Sequence, residues 1–148
     1  MKPQFVRIYL LTVGVILALT AVAKLPAIFH ARTWCLDDPI MGSFQPDRMS
    51  NEQLLGIAAI TEFVIVGLIC FSRWRWLPCL AAALWGSLCV IARWFIMDPA
   101  ANCRCLGWFM KPNPATNIEV GLLALAIAIG GWLAFRRTWR NPAQLKQA

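Results

Sequence analysis

The sequence predicts an all-α fold: a single bundle of four transmembrane helices with both termini in the cytoplasm. Three observations predict it. The chain is 59% hydrophobic and only 14% charged, where a soluble domain carries about a quarter charged residues. Its apolar residues gather into four long runs, each near the roughly 20 residues that cross a bilayer. Its basic residues collect at the ends of those runs, which is the pattern of a topology signal. With 148 residues there is room for one bundle and no second domain. The net charge of +7 does not indicate a nucleic-acid partner, because the charges form no soluble basic face; the partner that composition implies is the lipid bilayer.

The first run, Ile8 to Ala23 with Leu25 to Phe29, predicts a helix over about residues 6–25. Lys2 and Arg7 precede it, and Ala21-Val22-Ala23 is a small-x-small site, so the same stretch also has the form of a secretory signal peptide. Its removal would leave three spans and opposite-facing ends; the run is read as helix one. Residues 26–50 form a long outer loop. Ser50 and Gln53 then compose a capping box, with Glu52 suited to the positive end of a helix. Helix two is expected over 51–71.

Ser72-Arg73-Trp74-Arg75-Trp76 reads as a tight connection at a membrane interface, cations among the headgroups and indoles at the boundary. Pro78 falls in the first turn of helix three, where a missing N–H costs little. That helix is expected over 76–97, ending at Asp98-Pro99. A second outer loop covers 98–116. Thr116 and Glu119 make a second capping box, and helix four is expected over 117–135. No repeat or low-complexity segment is evident.

Orientation follows from Lys and Arg. The N-terminus, the short turn and the C-terminal tail hold eight basic residues and no acidic ones: Lys2, Arg7, Arg73, Arg75, Arg136, Arg137, Arg140 and Lys146. Asp37, Asp38, Asp47, Glu52 and Asp98 fall on the other side. The positive-inside rule places both ends in the cytoplasm and both long loops outside. Cys35, Cys103 and Cys105 then share one face, the oxidising one.

Cys103 and Cys105 carry the sharpest chemical signal. A disulfide between residues two apart closes a very small ring that few backbone conformations allow. Such a bond is strained and easily reduced, which suits exchange more than stapling. Arg104 favours the thiolate, and Gly107 allows a tight turn after the pair. An inert disulfide or two unrelated thiols is the plainer reading. Metal binding is weaker still, since the one histidine, His30, is in the other loop; no metal is expected. Cys35 is either a resolving thiol or a lone loop cysteine. Cys70, Cys79 and Cys89 lie in or beside apolar runs and read as packing residues.

Glu62 falls near the bilayer midplane, where a carboxylate is costly unless neutral, paired or facing a cavity. It is a functional candidate, or a polar lock between helices. Lys24 and Arg93 are its possible cationic partners, and Lys24 could instead snorkel outward. Of eight tryptophans, Trp34, Trp74, Trp76, Trp94, Trp108 and Trp139 fall near expected interfaces. Trp85 and Trp132 lie deeper, either as packing residues or lining a quinone-sized cleft.

Ala23-Lys24-Leu25, Asp38-Pro39-Ile40-Met41-Gly42, Glu62 and Cys103-Arg104-Cys105-Leu106-Gly107 together resemble the MauE/DoxX-like redox-associated membrane proteins. The resemblance spans nearly the whole chain, and Cys-x-Cys-[Leu/Phe]-Gly is its most specific part. Arg104 stands where a small residue is common in the family. The resemblance implies a four-helix membrane protein tied to redox chemistry. MauE is associated with maturation of an enzyme whose small subunit is disulfide-rich, and DoxX relatives include a subunit linked to thiosulfate and quinone.

The expected function is a thiol–disulfide redox protein of a bacterial cytoplasmic membrane. Cys103 and Cys105 would exchange electrons with a periplasmic thioredoxin-like or disulfide-containing protein, and onward to a quinone, with Cys35 resolving. The alternative is a non-catalytic subunit or assembly factor of a larger membrane complex. A third option is a small transporter built around Glu62.

Overall fold

The computed structural model describes residues 4–29, 51–96 and 114–140, with side chains over 4–26, 53–95 and 118–140. The described residues are all helical apart from one short turn, with no strand among them. Helix α1 spans Gln4–Phe29, α2 Asn51–Phe71, α3 Trp76–Ile91 and α4 Pro114–Arg140. Helix α3 continues without a break into a π-helical turn, Ala92–Ile96. All four helices are long and apolar enough to cross a membrane: their apolar stretches cover 23, 19, 20 and 23 residues.

Both outer helices outrun the bounds expected for them. Helix α1 continues through Pro26 to Phe29; the proline forfeits one hydrogen bond, to the carbonyl four residues earlier, in the last turns. Helix α4 begins at Pro114, a residue whose fixed φ and missing N–H suit the first helical position. Thr116 is therefore inside the first turn and not at the cap. At the other end α4 runs on to Arg140, carrying Arg136 and Arg137 within the helix.

The helices alternate in direction. Gly14 of α1 lies against Ile69 of α2, while Lys24 meets Glu62, so rising numbers in α1 match falling numbers in α2. Gly86 of α3 faces Ala124 and Ala128 of α4, Gly131 faces Ala83, and Gly121 faces Trp94. The Tyr9 hydroxyl of α1 donates to the Ile127 carbonyl of α4 at 2.7 Å. The chain therefore leaves Phe29, Asn51, Ile96 and Pro114 at one end of the bundle, and the 72–75 turn and the outer termini of α1 and α4 at the other.

At the turn, the Ser72 hydroxyl accepts from the Trp74 N–H at 3.2 Å and donates to the Trp74 carbonyl at 3.1 Å. This local bonding lets four residues reverse the chain. Trp74 stacks on Trp76, and Trp76 meets Trp139 edge-on. Arg73, Arg75, Arg136 and Arg140 surround that aromatic group in sequence, so this end has the composition of a membrane interface.

Helix α1 packs chiefly on α2, and α3 chiefly on α4. Val13, Leu17, Ile65, Ala82 and Ile127 form the central core. Val6, Leu10, Cys79 and Ala134 form a second cluster toward the short turn, which makes Cys79 a packing residue. Outward-facing positions are apolar too: Ile8, Leu11, Val15, Leu19 and Val22 line one exposed face of α1. In water such a stripe would call for a partner, and in a bilayer it meets acyl chains.

Candidate functional site

Lys24 and Glu62 are the polar centre of the described bundle. Lys24 is 4% exposed and Glu62 5%. The Lys24 Nζ donates to both carboxylate oxygens at 2.7 Å and to the Thr20 carbonyl at 3.4 Å. An ammonium has three donors, and here each has an acceptor. The pair arises because Lys24 follows Ala21 and Ala23 on α1, both almost fully buried. Their small side chains leave room for the lysine stem to turn inward toward α2. Lys24 therefore does not snorkel outward, and Glu62 takes Lys24, not Arg93, as its cation.

An ion pair taken out of water is held only when its geometry and remaining hydrogen bonds are good. This one meets that condition, and it ties α1 to α2. Both Glu62 oxygens are engaged by the ammonium, so the carboxylate is held as a lock between helices. Cys89 of α3, half-buried, lies within electrostatic reach of both charges. No sequence signal pointed to that proximity, because α3 is apolar on all sides and its rotation is set by packing.

Between α2 and α3 an open apolar groove of about 390 Å³ is walled by Val64 and Leu68 on one side and by Leu84, Trp85 and Leu88 on the other. Thr61 adds its one hydroxyl, which already donates to the Ile57 carbonyl at 2.8 Å. Trp85 thus lines a cleft. Trp132 is not among the residues that line this groove; its indole N–H reaches the Ser87 hydroxyl at 3.4 Å on the α3–α4 side.

Cys35, Cys103 and Cys105, with His30 and the Asp38–Gly42 motif, lie outside the described residues. Cys70, Cys79 and Cys89 are free thiols. Among the described residues no group of three or more His, Cys, Asp or Glu is placed to hold a metal ion. The structure brings Glu62 and Lys24 together and leaves Arg93 apart from them. Compared with protein-family models, with curated proteins and with solved structures, the chain finds no match.

Proposed function

We propose that this chain is a thiol–disulfide redox protein of a bacterial cytoplasmic membrane, of the MauE/DoxX-like kind, with both termini cytoplasmic. One observation carries the reading. The segment holding Cys35 joins α1 to α2, and the segment holding Cys103 and Cys105 joins the π-helical turn to α4. Both depart from and return to the same end of the bundle. That end is opposite the arginines of the 72–75 turn and of α4, and the positive-inside rule makes it the periplasmic one.

The chemistry is an exchange. A thiolate of a periplasmic thioredoxin-like or disulfide-containing protein attacks one sulfur of a Cys103–Cys105 disulfide. The bond breaks, a mixed disulfide forms and the other sulfur leaves as a thiolate. The partner's second thiol then resolves the mixed disulfide. The partner leaves oxidised, and Cys103 and Cys105 hold two electrons and two protons. A quinone in the membrane reoxidises the pair: the Cys103–Cys105 bond re-forms as the quinone takes two electrons and two protons and becomes a quinol. Cys35 is the resolving thiol, whose thiolate displaces a stalled partner from the mixed disulfide, forming a bond to the pair's cysteine and releasing the partner's thiol. The Lys24–Glu62 lock holds α1 and α2, and so the base of the Cys35 segment, in fixed register.

A second reading is a non-catalytic subunit or assembly factor of a larger membrane complex. The exposed apolar faces of all four helices favour it, since they accept a partner's helices as readily as lipid.

Alkylation of free thiols in isolated membranes, followed by mass spectrometry across a series of redox buffers, separates the two. A Cys103–Cys105 disulfide that titrates reversibly in the range of known oxidoreductases, about −120 to −270 mV, is the expected result. A pair that stays reduced throughout, or stays bridged under the strongest reductant, overturns the redox reading in favour of the subunit.

A further inference from the structure

Lys24, Glu62, Arg93 and Glu119 are the charged side chains that fall between the ends of the described helices, well away from the short turn, and of these Glu119 is exposed. The first two cancel each other at 2.7 Å. Arg93 is left over. Its Nη1 is buried and has no hydrogen-bond partner among the described residues, while the side chain as a whole is only half-buried. A buried donor without an acceptor costs free energy, and a cation more than a neutral group. Glu62 cannot supply the acceptor, because both its oxygens are taken.

Arg93 stands on the π-helical turn Ala92–Ile96, three residues before its end. That places it about 5 Å inside the end of the helix, within reach of a headgroup for a long side chain that extends toward the boundary. Single π turns inside α-helices recur at functional sites. The neighbouring Trp94 is 60% exposed, as an interfacial indole would be. Toward the membrane interior, the same helix forms one wall of the apolar groove with α2. The groove follows α3 from Ala81 to Leu88, a rise of about 11 Å. It offers no unsatisfied polar group, so it suits a hydrocarbon chain.

We infer that α3 binds an anionic phospholipid, the phosphate on Arg93 and one acyl chain in the groove between α2 and α3. A guanidinium matches phosphate oxygens with two parallel N–H donors. The Arg93 charge, which no carboxylate pairs among the described residues, selects an anionic lipid over a zwitterionic one. The apolar groove supplies binding that a soluble phosphate cannot use. This site does not depend on the redox reading.

The test is native mass spectrometry of the full chain in detergent, titrated with phosphatidylglycerol or phosphatidylcholine of identical acyl chains. The expected result is a preference of about fivefold for phosphatidylglycerol. Arg93→Gln should erase that preference and Arg93→Lys should keep most of it. Leu88→Trp, which fills the groove, should weaken both lipids together. Inorganic phosphate and glycerol phosphate should not displace the lipid. Equal binding of the two lipids by the unaltered chain overturns the proposal, as does a preference that survives Arg93→Gln. Displacement by free phosphate, or undiminished binding to Leu88→Trp, overturns it as well.

Discussion

The two halves of the bundle are held together by opposite means. Helices α1 and α2 meet through larger side chains and one buried ion pair, and the glycines of α2 are not needed for the fit. A Cβ at Gly56 or Gly67 would meet nothing within 4 Å, and one at Gly14 would make an ordinary 3.6 Å contact with Ile69. Helices α3 and α4 meet backbone to backbone. A Cβ at Gly131 would lie 2.7 Å from the Ala83 nitrogen, and one at Gly86 2.7 Å from the Ala128 nitrogen. In lipid there is no water to drive apolar surfaces together. Association rests on close packing through small residues or on polar groups that have no other partner. This chain uses one solution in each half, and the difference teaches where each half is vulnerable: the first to loss of a charge, the second to gain of a methyl group.

The largest effect should come from unbalancing the ion pair. Glu62→Leu leaves the Lys24 ammonium buried with only the Thr20 carbonyl, a situation that costs about 3–5 kcal/mol. Unfolding in mixed micelles should show that loss. Adding Lys24→Met to Glu62→Leu should restore much of it, because two well-fitting apolar side chains replace the pair without leaving a charge. If the double variant is no more stable than the single, the pair is not the lock between α1 and α2.

Next in size is the glycine contrast. Gly131→Ala must push α4 off α3, and overpacking of this kind costs about 1–3 kcal/mol. Gly67→Ala meets open space and removes a poor helix former, so it should be neutral or stabilising by up to about 1 kcal/mol. The same micelle unfolding assay compares the two. Equal effects would mean that α3 and α4 do not depend on close approach.

The spans were legible because hydropathy and length are local properties. The run from Leu54 to Phe71 announces a helix whatever surrounds it, and the Ser72–Trp76 stretch announces a turn by its cations and indoles. Rotation was not legible. Each helix is apolar on nearly every side, so no polar face says which residues turn inward. That is why Lys24 and Arg93 were equal candidates for Glu62 in the sequence. Only packing separated them: Ala21 and Ala23 open an inward path beside Lys24, whereas Arg93 sits on a π turn that no sequence pattern announces. The start of α4 shows a similar limit. Thr116 and Glu119 fit a capping box, yet Pro114 is the better first residue and captures the helix end. The residues with the clearest chemical motif, Cys103 and Cys105, are legible as chemistry without any fold at all, and for that reason the fold adds to them only the end of the bundle from which their segment departs.

The smallest effect joins the two halves. The Tyr9 hydroxyl reaches from α1 to the Ile127 carbonyl of α4, a bond that lies within neither pair. That carbonyl is inside α4 and can keep its own helical partner, so Tyr9→Phe removes a donor without orphaning an acceptor. The cost should be about 0.5–1 kcal/mol, the range of single hydrogen bonds between membrane helices. It should not be additive with Gly131→Ala, since the Tyr9 ring rests on Gly130 and any shift of α4 moves the backbone that carries both Tyr9 contacts. A loss as large as that of Glu62→Leu in the micelle assay would mean that the halves are held to each other as firmly as α1 is to α2. The bundle would then be one cooperative body and not two helix pairs laid side by side.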